Sequence, residues 1–319
     1  MITQLPSKIL IIGATGGIGK YITNAIVSAE PRIGRQISIF TSQATATSPA
    51  KQDLLFSWKS KGASIITGDL NNSDDIKKAY SGVDTVISCL GRNVLASQIE
   101  LLKLAEESND VQWFFPSEYG TDIEYDASSK DEKPHQTKLR VREFIREHVK
   151  RVKCTYVVTG PYLDMYLTLI PTGEDAGGYD VKSKRAVIVG SGDEKVGLTT
   201  MPDVGKLVVA ALRHPDASMG KVLKVQSLVT TPNAILEEFE RQTGTKWTVD
   251  HTTNEKLREV EKEKWDANNP LAALYTLRRI WAEGGTLYEK TDNEIIGLTP
   301  GDMEPLSAVV KRAVNGEGY

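Results

Sequence analysis

Four apolar residues, Ile9-Leu10-Ile11-Ile12, run straight into Gly13, and glycines recur at Gly16, Gly17 and Gly19. An unbroken β-prone run of this kind suits a strand buried on both faces, which demands covering layers on each side of a sheet. The glycines then let the backbone turn sharply and approach a bound group with no Cβ in the way. Beyond Gly19 the spacing of Tyr21, Ile22, Ala25 and Ile26 is helical, so the turn opens a helix. Unpaired N–H groups and the positive end of the helix dipole gather at that start and favour an anion, most simply a diphosphate. The spacing is G-x-x-G-x-x-G, a variant of the dinucleotide fingerprint. A P-loop is excluded, because Gly19-Lys20 is followed by Tyr21 rather than Ser or Thr.

Strand-like and helix-like segments alternate through the first half. Strands are expected at 37–40, 64–66, 85–90, 113–115 and 154–158. Helices are expected at 51–61, from Ser73 as N-cap through Tyr80, and at 94–107 and 135–149. The Ser- and Thr-rich stretch 44–50 reads as a flexible loop. Such alternation predicts right-handed crossovers and a parallel sheet covered on both faces. Ligand contacts then belong beyond the strand C-termini, where Gly13, Ser42, Gly91, Ser117 and Gly160 fall. After Gly160 the rhythm breaks. Strands at 186–189 and 222–225 are followed by helices at 234–242, 254–265, 271–281 and 304–314, with another helix at 203–212 between the strands. The expected fold is α/β, a doubly wound parallel-sheet Rossmann domain with a smaller, mostly helical substrate lobe. Residues 1–160, completed by about 196–227, are assigned to the first part, and 161–195 with 228–319 to the second.

Composition narrows the function. A net charge of −3 gives no electrostatic case for nucleic acid or an anionic membrane. No apolar run approaches the ~20 residues that span a bilayer. The eight residues before the first strand leave no room for a leader, so the cytosol is the expected location. Cys89 and Cys154 sit in apolar β-like runs and read as buried free thiols. Four scattered histidines match no metal-site spacing, so no metal is expected.

In an NAD-preferring site an acidic residue closes the second strand and holds the ribose hydroxyls. Here that strand ends Phe40-Thr41-Ser42-Gln43, with no carboxylate. Thr41 and Ser42 offer hydroxyls to a 2′-phosphate, and Lys51 offers the positive charge, which favours NADP(H). The Tyr-x-x-x-Lys acid of common short-chain dehydrogenases is missing, since no tyrosine has a lysine four residues later. What remains is Phe115-Pro116-Ser117-Glu118-Tyr119-Gly120, followed by Lys138-Leu139-Arg140-Val141-Arg142.

With Gly-Ala-Thr-Gly-Gly-Ile-Gly, Ile87-Ser88-Cys89-Leu90-Gly91 and Gln98, these stretches occur in serial order. Together they resemble the NmrA-like and isoflavone-reductase-like family of atypical short-chain dehydrogenases, closely over about the first 165 residues and loosely beyond. The resemblance implies an NADPH-binding fold in which Lys138 replaces the Tyr-Lys pair, binding nicotinamide ribose and moving a proton. A lysine can do so only if desolvation or nearby positive charge lowers its pKa from about 10.4. His135 and Arg142 lie at i−3 and i+4 on the same helical face. Arg142 either depresses that pKa or binds a carboxylate. Cofactor contacts are expected at Gly13, Thr15, Gly16, Gly17, Ile18 and Gly19, at Thr41, Ser42 and Lys51, at Leu90 and Gly91, and at Ser117 and Lys138. Tyr119, Tyr162, Met165 and Tyr166 are the expected substrate-pocket residues. Thr41 departs from the family, whose reductases commonly place an arginine there. Arg92, after the fourth-strand glycine, is available to a phosphate or an acidic substrate.

The activity implied is NADPH-dependent hydride transfer to a small, apolar, aromatic or heterocyclic metabolite, including net redox-neutral cyclisations or rearrangements. The alternative is a dinucleotide-binding redox sensor that regulates a transcription factor without turnover. Such regulators often lack the lysine that this chain carries.

Overall fold

A computed structural model describes residues 5–317; the segment before the first strand, read above as too short for a leader, lies partly outside them. The strands of the first half are β1 (Lys8–Ile12), β2 (Gln36–Thr41), β3 (Ala63–Thr67), β4 (Thr85–Ser88), β5 (Trp113–Phe115), β6 (Lys153–Cys154) and β7 (Tyr156–Val158). The first six form one parallel sheet in the order β3-β2-β1-β4-β5-β6. The helices are α1 (Gly17–Val27), α2 (Gln43–Ala46), α3 (Pro49–Ser60), α4 (Ser73–Tyr80), α5 (Gln98–Glu107) and α6 (Gln136–His148), with α7 (Leu163–Tyr166) and α8 (Met201–Arg213) following.

Alternation along β1 assigns each side chain to a layer. Ile9 and Ile11 pack with Ile22 and Ile26 of α1, Trp58 of α3, and Val204, Leu207 and Val208 of α8. Leu10 and Ile12 face the other way, onto Ile76 and Tyr80 of α4, Leu102 of α5, and Val141 and Ile145 of α6. This two-sided burial is the reason β1 contains no polar residue between Ile9 and Ile12. Helices α1 and α8 approach so closely that a Cβ on Gly205 would stand 2.6 Å from the Tyr21 carbonyl oxygen. The doubly wound sheet expected from the sequence is present.

Several local readings are corrected. The stretch 44–50 is not a flexible loop: Ser42 caps the short helix α2 by accepting from the Thr45 N–H at 3.2 Å, and α3 begins at Pro49. Asn72, not Ser73, caps α4, because its amide oxygen accepts from both Asp74 and Asp75 N–H groups. The helix expected from Val94 begins as a 3₁₀ segment, Arg92–Ser97, before α5. The sixth strand is interrupted at Thr155, whose hydroxyl donates to the Ser218 carbonyl and accepts from Trp113 Nε1–H. Beyond that point β7 leaves β5 and pairs instead with a returning strand.

The later strands are β8 (Gly178–Asp180), β9 (Arg185–Val189), β10 (Val196–Leu198), β11 (Val222–Lys224), β12 (Leu228–Thr230) and β13 (Thr248–Thr252). Strand β11 is the returning partner of β7 and runs parallel to it. The order β13-β9-β8 makes a small separate sheet, and β10 pairs antiparallel with β12. Helices α9 (Pro215–Ser218), α10 (Pro232–Thr243), α11 (Asn254–Asp266), α12 (Ala272–Ala282) and α13 (Leu306–Val314) complete the chain. The second region therefore carries more strand than its sequence suggests. Its core includes Tyr179, Phe239 and Trp247, with ring centroids 5.2 and 4.9 Å apart in sequence. Among the described residues no helix is long and apolar enough to cross a membrane.

Candidate active site

The chain winds outward from β1 to β3 and then crosses back to β4, so β1 and β4 flank the point where strand order reverses. Their C-terminal turns touch. Gly13 has φ of +78°, and a Cβ there would lie 2.7 Å from the Cys89 carbonyl oxygen, so only glycine fits. A Cβ on Gly19 would lie 2.2 Å from the Gly13 carbonyl oxygen, so this glycine serves the packing of α1 against the turn. Gly16 and Gly17 differ from both: they are exposed, and nothing lies within 4 Å of a Cβ built on Gly17. Gly16 caps α1 with no side-chain hydrogen bond, and no acidic residue stands in the first turn. The free N–H groups of that turn, together with the dipole, form a cradle suited to a diphosphate.

Lys51 reaches this cradle. From the first turn of α3 its ammonium donates to the Thr15 carbonyl oxygen at 3.1 Å. Thr41 is buried at the end of β2, while exposed Ser42 spends its hydroxyl locally, donating to Thr45 Oγ1 at 3.1 Å. Ile18 is half-buried against the first core layer. The fit to a dinucleotide is thus good at the loop, and Lys51 supplies the only one of the three second-strand candidates that carries charge.

At the next strand ends, Ser117 donates its hydroxyl to the Leu90 carbonyl at 2.9 Å, and its backbone N–H donates to Gln98 Oε1 at 2.7 Å. Leu90 and Ser117 are buried, and Gly91 is exposed beside them. Gln98, almost fully buried, fixes the turn after β5; it was visible in the sequence only as one residue of the serial motif.

Lys138 projects from the first turn of α6 with 19% of its side chain exposed. Its ammonium donates to the Glu118 main-chain carbonyl at 2.5 Å and stands 3.8 Å from the Glu118 carboxylate. Burial lowers its pKa; Glu118 and Asp122 act to raise it, and Arg142 and Arg92 act to lower it further. Arg142 both binds a carboxylate and depresses the lysine, so the two readings of it hold together. His135 is buried, with Nδ1 3.1 Å from the Ser129 carbonyl, and burial lowers its pKa.

Tyr119 is buried, and its hydroxyl has no partner among the described residues; burial raises its pKa well above the usual phenol range. Tyr162 donates its hydroxyl to the Tyr119 carbonyl, which ties the end of β7 to the turn after β5. One helical turn on, Tyr166 lies against Arg278, whose guanidinium carbon is 4.1 Å from the ring centroid. Met165 is exposed. From α12, Trp281 Nε1–H donates to Thr121 Oγ1 at 2.8 Å and brings the second region against the same turn. A cleft of about 650 Å³ between segment 125–133 and helices α11 and α12 is lined by Glu132 and Glu261, each ion-paired to Arg279. None of the site residues named above lines it.

The chain is similar to several known proteins in sequence and in fold. An isoflavone reductase homologue from Solanum tuberosum is 30% identical over 241 residues, 75% of each chain. Isoflavone reductase from Glycine max is 28% identical over 300 residues, 88% of this chain and 89% of that protein. The leucoanthocyanidin reductase–NADPH complex from Vitis vinifera superposes with a TM-score of 0.79 at 21% identity, over 97% of this chain and all of that one. Residues 6–294 match the NmrA-like family, and the chain belongs to that family.

Proposed function

We propose that this chain is an NADP(H)-dependent oxidoreductase acting on a small, apolar, aromatic or heterocyclic metabolite. The observation that carries the reading is Lys138: a partly exposed ammonium at the strand ends, held closest by a neutral carbonyl with the Glu118 carboxylate looser at 3.8 Å, and with its pKa lowered chiefly by burial. A lysine so placed is suited to general acid–base work near neutrality. The names of the relatives, isoflavone reductase among them, support a reductase.

Main-chain amides of Gly17 and Ile18 would hold the diphosphate, Gly16, whose own N–H donates to the Gly13 carbonyl at 3.1 Å, would border it, and Lys51 with Thr41 and Ser42 would take the 2′-phosphate. Leu90, Gly91 and Ser117 would border the nicotinamide end. When bound, the nicotinamide supplies or accepts hydride at C4. Lys138 orients the ribose and donates a proton to the atom of substrate that becomes negative. Tyr119, Tyr162, Met165 and Tyr166 border the substrate. In this reading residues 1–160 with 196–227 serve the cofactor, and the remainder closes over it.

The test uses NADPH consumption with isoflavone, phenylcoumaran and pinoresinol substrates. Lys138→Ala should lower turnover on the order of 100-fold or more, the usual weight of general acid–base catalysis. NADPH affinity should be largely kept. Undiminished turnover in that variant would overturn the role. A wild-type chain that binds NADPH and reduces none of a broad aromatic panel would favour the sensor.

A further inference from the structure

The chain places three carboxylates around Arg142, one helical turn on from Lys138: Glu118, Asp122 and Glu124. Each already has another cation. Arg142 grips Glu118 with two hydrogen bonds, Nε–H to Oε1 at 3.1 Å and Nη2–H to Oε2 at 3.2 Å. Its third nitrogen, Nη1, donates to Glu124 Oε2 at 2.6 Å and stands 3.8 Å from Asp122. Glu124 also pairs with Arg146 at 3.0 Å, and Asp122 pairs with Lys224 at 2.9 Å. Three carboxylates are therefore matched by three cations, Arg142, Arg146 and Lys224, before Lys138 is counted. Lys138 is the surplus charge.

The geometry around the ammonium agrees with that balance. Its nearest acceptor is the main-chain carbonyl of Glu118, a neutral group, at 2.5 Å. The carboxylate of the same residue is farther away and is turned toward Arg142, with both Glu118 and Arg142 side chains at least 97% buried. A buried carboxylate held by two parallel N–H groups has fixed geometry, so it cannot swing to meet the lysine. The other charged or titratable groups facing Lys138 are His135 in the 3₁₀ turn just before α6 and Arg92 on the 3₁₀ segment after β4, and neither supplies a negative charge.

We infer that Arg142 is a positioning residue that keeps the Glu118 carboxylate turned toward itself, so that Lys138 meets the cofactor cleft with only a loose 3.8 Å contact to that carboxylate. Its effect is on the proton affinity of Lys138. Removing Arg142 frees a buried carboxylate within 4 Å of the ammonium and makes Lys138 the only cation at Glu118. The lysine then holds its proton more tightly. Removing the Glu118 carboxylate has the opposite sign. A purely structural ion pair would give both substitutions the same consequence, a less stable protein. This inference rests on the reading of Lys138 as the proton-transferring group, since only then does its proton affinity bear on turnover.

The test is competitive acetylation of the full chain across pH, with no nucleotide or substrate present, followed by mass spectrometry of the peptide containing Lys138. Only the neutral amine reacts. An opposite charge within about 4–6 Å shifts a titration by one unit or more, so Arg142→Met should slow Lys138 labelling at pH ~8 on the order of tenfold. Glu118→Gln should speed it, and Arg142→Lys should lie between Arg142→Met and wild type. NADPH binding by the variants reports that the fold is intact. If Arg142→Met does not fold, Glu118→Gln and Arg142→Lys carry the test in the same directions. Unchanged labelling, or changes of the same sign for Arg142→Met and Glu118→Gln, would overturn the inference while leaving the role of Lys138 in turnover standing. Conversely, undiminished turnover in Lys138→Ala would remove the role and leave the labelling result intact.

Discussion

One methyl group placed at each of three glycines in a single turn separates folding from cofactor binding. At Gly19 the methyl meets the Gly13 and Ala14 carbonyl oxygens at 2.2 and 2.9 Å, and both belong to the rigid backbone leaving β1. Overpacking of this kind costs about 1–3 kcal/mol or more, against a helix-propensity gain of up to about 1 kcal/mol. Gly19→Ala should therefore be destabilised by ~1–2 kcal/mol, a fall of several degrees in Tm. Gly16 has φ of −73° and ψ of 175°, a conformation open to any residue, and its methyl would meet only the Gly13 oxygen at 3.3 Å and the Cys89 oxygen at 3.9 Å. A shift of a few tenths of an ångström relieves that contact, and the entropy gain of ~0.4–1 kcal/mol from a stiffer unfolded chain offsets it. Gly16→Ala should thus melt close to wild type yet bind NADPH poorly, because its methyl would stand where the diphosphate approaches the free Gly17 and Ile18 amides. Losing one charge-assisted amide–phosphate bond, about 1.5–3 kcal/mol, weakens binding roughly 10- to 150-fold. Gly17→Ala, with open space at its Cβ, should melt close to wild type. Calorimetric titration with NADPH and thermal unfolding without it read the two effects independently. Wild-type affinity in Gly16→Ala would mean that the glycines make a tight turn and nothing more.

Other consequences can be checked with the same assays. Lys51→Met removes the ammonium beside Thr15, so it should weaken NADPH binding about tenfold or more while leaving NADH nearly unchanged. Equal losses for both nucleotides would place the 2′-phosphate elsewhere. Gln98→Leu leaves the buried Ser117 N–H without its acceptor and should destabilise the chain by about 1–3 kcal/mol, read by denaturant unfolding. Because folding lowers the pKa of Lys138, the protonated acid is lost at a pH below the ordinary lysine range. Reductive turnover should therefore fall as pH rises through that lowered value, and the oxidative direction should gain over the same span. A reductive rate that stays flat up to the ordinary lysine range would contradict it.

How much of this was legible depended on whether the signal was local. Strands β1 and β5 were readable because burial on both faces demands unbroken apolar runs, and Ile9–Ile12 is the clearer of them. The break at Thr155 was not readable: it arises from hydroxyl bonds to Trp113 and Ser218, which are distant in sequence. A Ser/Thr-rich segment looks like a loop until one hydroxyl, here that of Ser42, is seen to cap a helix. Asn72 and Ser73 are both competent caps, and only backbone geometry decides between them. At the site, the serial motif led to Lys138 and Arg142 but gave no sign that Asp122, Glu124 and Lys224 would join them. Those residues carry no periodicity and meet only after the sheet has formed. Tyr166 shows the same limit, since its stacking partner Arg278 comes from a helix more than a hundred residues later.

The proposal stands or falls on what lies beside one ammonium group. A crystal structure of the full chain soaked with NADP⁺ should place the diphosphate on the amides at Gly17 and Ile18, the 2′-phosphate near Lys51, and the nicotinamide ribose within about 3 Å of Lys138 Nζ. A dinucleotide bound with its nicotinamide away from Lys138, or no nucleotide in the glycine turn at all, would contradict the assigned chemistry.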